Sequence, residues 1–225
     1  MTRAWETLDR VSTEEGTLEL RQRGQSDFLI TLAGRVLMNS SATRSEIALA
    51  EVACAPFIDD ARARVLIGGL GMGYTLRAAL DSLSDSARVV VAELHPRIAD
   101  WCRGPLAGLT KGAASDTRVE IEFGDVAHVI ARSCATSGAD PAFNAILLDL
   151  YEGPHGRRQT SHPHYGDHAL DNARNALRQG GVFAVWSEDP DAAFERRLRR
   201  AGFKVERRRP GRGGRRHAVY IATRT

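Results

Sequence analysis

Three carboxylates in this sequence each come directly after a short apolar run, a placement that can serve chemistry. Glu93 ends one run, Asp125 follows a second run through a glycine, and Asp149 ends a third. Open α/β sheets bind ligands beyond the carboxyl ends of their strands, where an acidic side chain accepts hydrogen bonds from ribose hydroxyls or takes up a proton. A single acid at such a place is also typical of a helix N-cap. The repetition at three strand ends favours a binding site.

A glycine-rich turn precedes these acids and indicates the kind of ligand. Val65 to Ile67 form an apolar run typical of a strand buried on both faces. Four glycines follow it within six residues: Gly68, Gly69, Gly71 and Gly73. Apolar residues then recur at helical spacing from Leu76, so the turn opens a helix whose free N–H groups face the loop. Glycines also mark tight turns without a ligand, but together with the acids they favour a nucleotide-like ligand.

The elements that must hold these residues alternate between strand and helix from residue 64 to residue 187. Such alternation predicts an α/β fold with a parallel sheet and right-handed crossovers. Two further runs, 203–206 and 218–222, predict an antiparallel pair that closes one edge. The main domain, residues 58–225, is therefore expected to hold a Rossmann-like, seven-stranded sheet.

Residues 1–57 are predicted to form a short N-terminal appendage. Alternating apolar and polar residues on both sides of Ala33-Gly34 predict a β-hairpin, and the pattern from Ser45 to Phe57 predicts a helix. Residues 1–16 are polar and are expected to be loosely held.

The composition is that of an ordinary globular protein. The chain has 225 residues, of which 43% are hydrophobic and 26% charged, enough to bury a sizeable core. No apolar run approaches the ~20 residues that span a bilayer, and the N-terminus lacks the apolar centre of a signal peptide. We therefore expect a cytoplasmic protein without a membrane partner.

The basic residues are concentrated at the C-terminal end. From Arg196 to Thr225 there are twelve Lys or Arg residues and one acid, Glu206, whereas the rest of the chain is net acidic. Such an end can attract a nucleic acid, which is one alternative for the function. The other interpretation is a solvated helix face followed by a hairpin loop too rich in Gly and Arg to pack.

Four of the seven histidines fall between His155 and His168, close to Asp149 and Glu152. Their spacing matches no strong metal motif, and the three cysteines lie far apart, so we expect no metal. A histidine here could instead act as a general base, because its ordinary pKa lies near neutrality.

From about residue 17 onward the chain resembles the spermidine synthase-like branch of the class I S-adenosylmethionine-dependent transferases. The resemblance rests on five stretches: 67–77 (IGGLGMGYTLR), 91–96 (VAELHP), 124–125 (GD), 149–154 (DLYEGP) and 177–182 (LRQGGV). It implies the class I methyltransferase arrangement of the sheet, and a transferase that moves an alkyl group from a sulfonium donor to a small acceptor.

The resemblance also implies a role for each candidate residue. The glycine turn would hold the amino-acid end of the donor, Glu93 its ribose, and Asp125 its adenine. The full donor-binding set is Gly68, Gly69, Gly71, Met72, Gly73, Glu93, Leu94, Gly124, Asp125 and Asp149. Asp149 would also bind and activate the acceptor amine with Glu152 as its assistant, while Tyr151, His155 and Tyr165 would line the acceptor pocket.

The donor itself is predicted from one residue. Aminopropyltransferases of this family carry an aspartate in the glycine turn that faces the amine of decarboxylated S-adenosylmethionine, and Met72 stands in its place. A thioether neither binds that ammonium strongly nor repels the carboxylate of intact S-adenosylmethionine, so methyl transfer is favoured over aminopropyl transfer. The polyamine-lining positions, near Ala48 and Leu49, depart from the family as well. A non-catalytic nucleoside-binding protein and a homodimer also remain open.

Overall fold

The computed structural model describes residues 3–41, 43–135, 143–154, 160–210 and 217–225. They form two sheets, of which the N-terminal one has four antiparallel strands in the order β1-β2-β3-β4. Its strands are β1 (Glu6–Thr13), β2 (Gly16–Arg23), β3 (Asp27–Leu32) and β4 (Arg35–Asn39).

The N-terminal sheet is larger than the expected hairpin. Residues 6–13 were expected to be loosely held, and this was wrong, because they pair antiparallel with β2 along its whole length. Most of β1 is exposed or half-exposed, as suits a polar strand at the edge of a sheet. The polarity that argued against a strand is therefore a property of an edge position.

The second sheet has seven strands, in the order β10-β11-β9-β8-β5-β6-β7. Strand β11 is antiparallel to both its neighbours, and the strands from β9 to β7 are parallel, which confirms the predicted fold class. The strands are β5 (Arg64–Gly68), β6 (Arg88–Glu93), β7 (Val119–Phe123), β8 (Phe143–Leu148), β9 (Leu177–Ser187), β10 (Phe203–Arg208) and β11 (Ala218–Arg224).

Among the described residues, six α-helices accompany these strands: α1 (Arg44–Cys54), α2 (Tyr74–Ser82), α3 (Pro96–Arg103), α4 (Val126–Ala135), α5 (Asp167–Ala176) and α6 (Ala192–Arg200). The stretch 104–117 contains two short 3-10 helices. Helix α5 ends at Ala176, and Gly180 and Gly181 lie within β9.

The parallel strands are buried on both faces, as their apolar runs predict. In β5, Val65 and Ile67 face one hydrophobic cluster and Leu66 faces the other. Leu18 and Leu20 of β2 belong to the same cluster as Val65. The N-terminal sheet therefore shares a core with the large sheet and with α1.

Candidate active site at the carboxyl edge of the sheet

The glycine turn follows β5 and packs tightly against two neighbours. Gly69 and Gly71 have positive φ values of 88° and 53°, which side chains rarely adopt. A Cβ on Gly69 would lie 2.6 Å from the backbone oxygen of Asp149, and one on Gly71 would lie 2.8 Å from the sulfur of Met38. At Gly69 glycine is thus required both by the backbone conformation and by the space available, whereas at Gly71 it is required by the backbone conformation, because the Met38 side chain can move aside.

Glu93, at the end of β6, forms a hydrogen bond to the backbone of this turn. Its side chain is buried, and its two carboxylate oxygens accept the backbone N–H groups of Leu70 and His95, each at 2.8 Å. Burial raises the pKa of Glu93, although these hydrogen bonds oppose the shift. Each oxygen keeps a second lone pair, so the carboxylate can brace the turn and still accept a ribose hydroxyl.

Asp125 follows β7 and is already engaged by the protein. Its Oδ1 accepts the Ala127 N–H at 2.8 Å and lies 2.8 Å from Nε2 of His164. Partial burial alone would raise the pKa of Asp125, but these two hydrogen bonds lower it overall. Leu94 and Phe123, each 54% exposed, lie at the ends of the paired strands β6 and β7 beside this aspartate. Sequence reasoning missed Phe123, which offers an apolar surface suited to a nucleobase.

We call this part of the edge, formed by the ends of β5, β6 and β7, the glycine-loop side. It gathers the predicted turn glycines, Glu93, Leu94, Gly124 and Asp125. The structure therefore brings together most of the residues expected to hold the donor, and their role in binding stays a prediction.

Asp149 follows β8, beside the glycine turn. Its backbone N–H donates to the Gly68 carbonyl at 3.0 Å, and its carboxylate accepts the Thr75 hydroxyl at 2.5 Å. Burial, followed by the nearby negative charge of Glu46, raises the pKa of Asp149 to about 7. A carboxyl that titrates near neutrality is suited to taking up a proton.

Helix α1 brings further polar groups to the same edge. It packs against β8, β9 and β11, and its first turn carries Ser45 and Glu46. The Ser45 hydroxyl donates to Oε2 of Glu46 at 2.7 Å, and His217, just before β11, lies 3.4 Å from that hydroxyl. We call the ends of β8, β9 and β11, with the first turn of α1, the α1 side. Sequence reasoning missed Glu46 and His217, because no local motif marks them.

Several predicted side chains do not line an open pocket. Met72 is fully buried in the core, so its side chain presents no exposed surface, and its contact with the donor stays a prediction. Tyr165 is also fully buried, and its hydroxyl donates to the Glu152 carbonyl at 2.8 Å, so its place in the acceptor pocket stays a prediction. His155 lies outside the described residues.

Glu152 and Tyr151 are on the surface. The Glu152 side chain is exposed, and within the described ranges it forms no hydrogen bond to Asp149, so its role as an assistant stays a prediction. Tyr151 is 47% exposed and lies under the guanidinium of Arg35, 5.9 Å from the ring centre.

Two predicted absences concern metal and membrane. Among the residues with described positions, no group of three or more His, Cys, Asp or Glu side chains could hold a metal ion. No helix in the described parts of the chain is long and apolar enough to cross a membrane. The cellular compartment stays a prediction.

Most of the chain matches a known protein family. Residues 51–196 match the spermine/spermidine synthase domain, which is well over half of the chain. The chain belongs to the spermine/spermidine synthase family. The family assignment makes it an enzyme, a transferase, and confirms the resemblance seen in its motifs. The matched region begins inside α1 and includes the glycine turn, Glu93, Asp125 and Asp149.

Solved structures of other proteins have the same fold as this chain. Spermidine synthase from Thermotoga maritima matches with a TM-score of 0.73 and 18% identity, over 97% of this chain and 72% of that one. A spermidine synthase in complex with the transition-state analogue AdoDATO matches with a TM-score of 0.72 and 20% identity, over the same shares. Human methyltransferase-like protein 13 in complex with SAH matches with a TM-score of 0.60 and 18% identity, over 83% and 82% of the two chains.

Proposed function

We propose that this enzyme transfers an aminopropyl group from decarboxylated S-adenosylmethionine to a small amine. One observation carries the proposal: the buried Asp149 carboxylate lies near enough to Glu46 for that negative charge to raise its pKa, and the hydrogen bonds described for the two carboxylates come from hydroxyl groups, Thr75 and Ser45, and not from a basic side chain. Two neighbouring carboxylates without a cation favour an ammonium ligand.

The chemistry that follows is an in-line displacement. The amine nitrogen attacks the donor carbon, the new C–N bond forms as the C–S bond breaks, and a neutral thioether leaves. Asp149 holds the amine and takes the proton that the nitrogen loses. The glycine-loop side would fix the donor, and positioning of this kind is worth roughly 7–11 kcal/mol of the barrier.

Family membership supports the aminopropyl donor, as do the spermidine synthases among the structural neighbours. Family membership therefore takes the place of the argument that chose the donor from Met72, whose side chain is buried. Methyl transfer from intact S-adenosylmethionine is the second candidate. Residues 68–73 carry no acid that would bind the ammonium of the decarboxylated donor or repel the carboxylate of the intact donor.

The test is to incubate the enzyme with each donor and a panel of small amines, and to follow the products by mass spectrometry. Aminopropyl transfer predicts products heavier by one aminopropyl group, formed only with the decarboxylated donor. Products heavier by one methyl group would support the second candidate. Nucleoside binding without any product would exclude both.

A further inference from the structure

The outer edge of the large sheet, at β10, forms a surface separate from the glycine turn. Three strands lie between β10 and β5, and among the described strands β10 pairs only with β11. Helix α6 packs against β10, and Phe194 and Leu198 of the helix lie in the same buried cluster as Phe203 of the strand. The exposed faces of α6 and β10 therefore belong to one continuous surface.

This surface carries seven exposed basic side chains. Helix α6 contributes Arg196, Arg199 and Arg200, while β10 and the residue after it contribute Lys204 and the arginines at 207–209. We call these seven side chains the basic strip. Strand β10 has six residues, so at ~3.3 Å per residue the strip is roughly 20 Å long.

The acids of the same surface do not neutralise the basic strip. Glu195 forms ion pairs with both Arg207, at 2.9 Å, and Arg199, at 3.4 Å, so one carboxylate is shared by two guanidinium groups. Glu206 pairs with Arg208 at 2.6 Å. The other four members form no ion pair with a described residue: Arg196, Arg200, Lys204 and Arg209. The strip therefore keeps a strong positive charge that faces the solvent.

Protection of the sheet edge does not account for this charge. Charged side chains on an edge strand prevent it from pairing with another chain, and this would explain the basic residues of β10. It would not explain the three exposed arginines of α6, which stand beside the strand. It also does not require a single sign of charge.

The strip lacks the apolar groups that other partners would need. The large exposed apolar side chains of the described residues all lie elsewhere: Leu8, Val36, Ile47, Ile58, Leu94, Phe123 and Tyr151. A surface that enters a membrane presents an exposed apolar face, and a surface that binds unpaired bases presents aromatic rings on which they stack. The partner that fits the described strip therefore supplies a regular row of negative charges and nothing apolar.

We propose that the basic strip binds the phosphate backbone of double-stranded nucleic acid without reading its sequence. Each strand of a duplex carries one phosphate per ~3.4 Å of axis, so about five or six phosphates match the length of the strip. The rest of the chain is net acidic, so the electric field of the molecule turns the strip toward a polyanion. The proposal goes beyond the transfer reaction and does not depend on it.

The experiment measures binding of a short labelled DNA duplex of arbitrary sequence by fluorescence anisotropy, at salt concentrations from ~50 to ~200 mM. Lys204→Gln/Arg209→Gln removes two charges from the strand end of the strip, and Arg196→Gln/Arg200→Gln removes two from α6. In each double variant the slope of log affinity against log salt should become shallower by about two, and affinity at ~50 mM salt should fall roughly tenfold or more. The loss in the α6 variant distinguishes binding from protection of the edge.

The matched control is Arg62→Gln/Arg88→Gln, which removes two exposed arginines near the starts of β5 and β6. Its affinity and salt slope should equal those of wild type, and thermal unfolding checks that all variants are folded. Absence of duplex binding by wild type at ~50 mM salt would overturn the proposal. So would an unchanged slope in either strip variant, or an equal loss in the control.

Two further probes test the choice of partner: single-stranded DNA of the same length, and vesicles of phosphatidylserine and phosphatidylcholine. Both should bind more weakly than the duplex. Tighter binding to the vesicles or to the single strand would assign the strip to a different partner and overturn the proposal. None of these measurements needs turnover, so failure of the proposed reaction would leave their outcome unchanged.

Discussion

The two sides of the carboxyl edge satisfy their carboxylates in different ways. On the glycine-loop side, Glu93 accepts two backbone N–H groups and Asp125 accepts one N–H and His164. On the α1 side, Asp149 and Glu46 accept hydroxyl protons only, and in the described chain neither meets a cation. The first side is therefore ordered by the protein itself, whereas the second is left with a charge that no described side chain balances.

The largest effect expected is on catalysis at the α1 side. Asp149→Asn preserves shape and the acceptor for Thr75 but removes the base, so kcat/KM should fall by roughly 10²–10⁴ while donor affinity is unchanged. The wild-type rate should rise as the pH increases through about 7, because only then is Asp149 deprotonated, and the variant should lack this limb. Rates measured across this pH range check the effect on catalysis, and titration calorimetry with the donor checks that its affinity is unchanged. A variant with a normal rate would shift the role of base to a histidine.

The next effect should distinguish the two acids of the glycine-loop side. Glu93→Ala removes a buried acceptor that braces Leu70, so donor affinity should fall by about 1.5–3 kcal/mol. Asp125→Ala should cost less, because the donor must already compete with His164 for this carboxylate. Calorimetry with the thioether product measures both. Equal losses would mean that His164 does not compete, and no loss in either would remove the site assignment.

A smaller effect should show that the glycine turn is fitted to Asp149 and not merely strained. Gly69→Ala and Gly34→Ala both place a side chain at positive φ, which costs about 1–2 kcal/mol of folding stability. Only at position 69 would the new Cβ meet another group, the Asp149 backbone, while position 34 is open. The temperature of thermal unfolding should fall in both variants, but donor binding should weaken only in Gly69→Ala.

The smallest effect is on stability at the α1 side. Asp149 keeps its proton up to about pH 7 when folded, but only to its ordinary pKa near 4 when unfolded. Between these values the folded chain binds more protons, so its stability is lost as the pH rises. Asp149→Asn should therefore gain about 1 kcal/mol, or roughly 2–4 °C in Tm, at about pH 8 and gain nothing near pH 4. A gain that is independent of pH would contradict the raised pKa.

The contrast between the two sides also explains what the sequence could predict. The glycine turn, Glu93 and Asp125 were found because each follows its own strand, so a local pattern places it at the edge. Glu46 and His217 could not be found this way, because the Ser45–His217 contact joins residues 172 apart in the sequence. Met72 and Tyr165 were placed in the site by the family resemblance, but the direction in which a side chain points depends on packing that no motif specifies.

The packing of α1 against β11 also has a consequence for biosynthesis. Helix α1 and its Glu46 are synthesised before most of the large sheet, whereas β11, which completes their surroundings, follows the other described strands. Until β11 is made, Leu49 and the other buried residues of α1 lack Val219 and Ile221, members of the same hydrophobic cluster. Contacts of such long range form late and slowly, so a nascent chain would assemble the glycine-loop side first and the α1 side later.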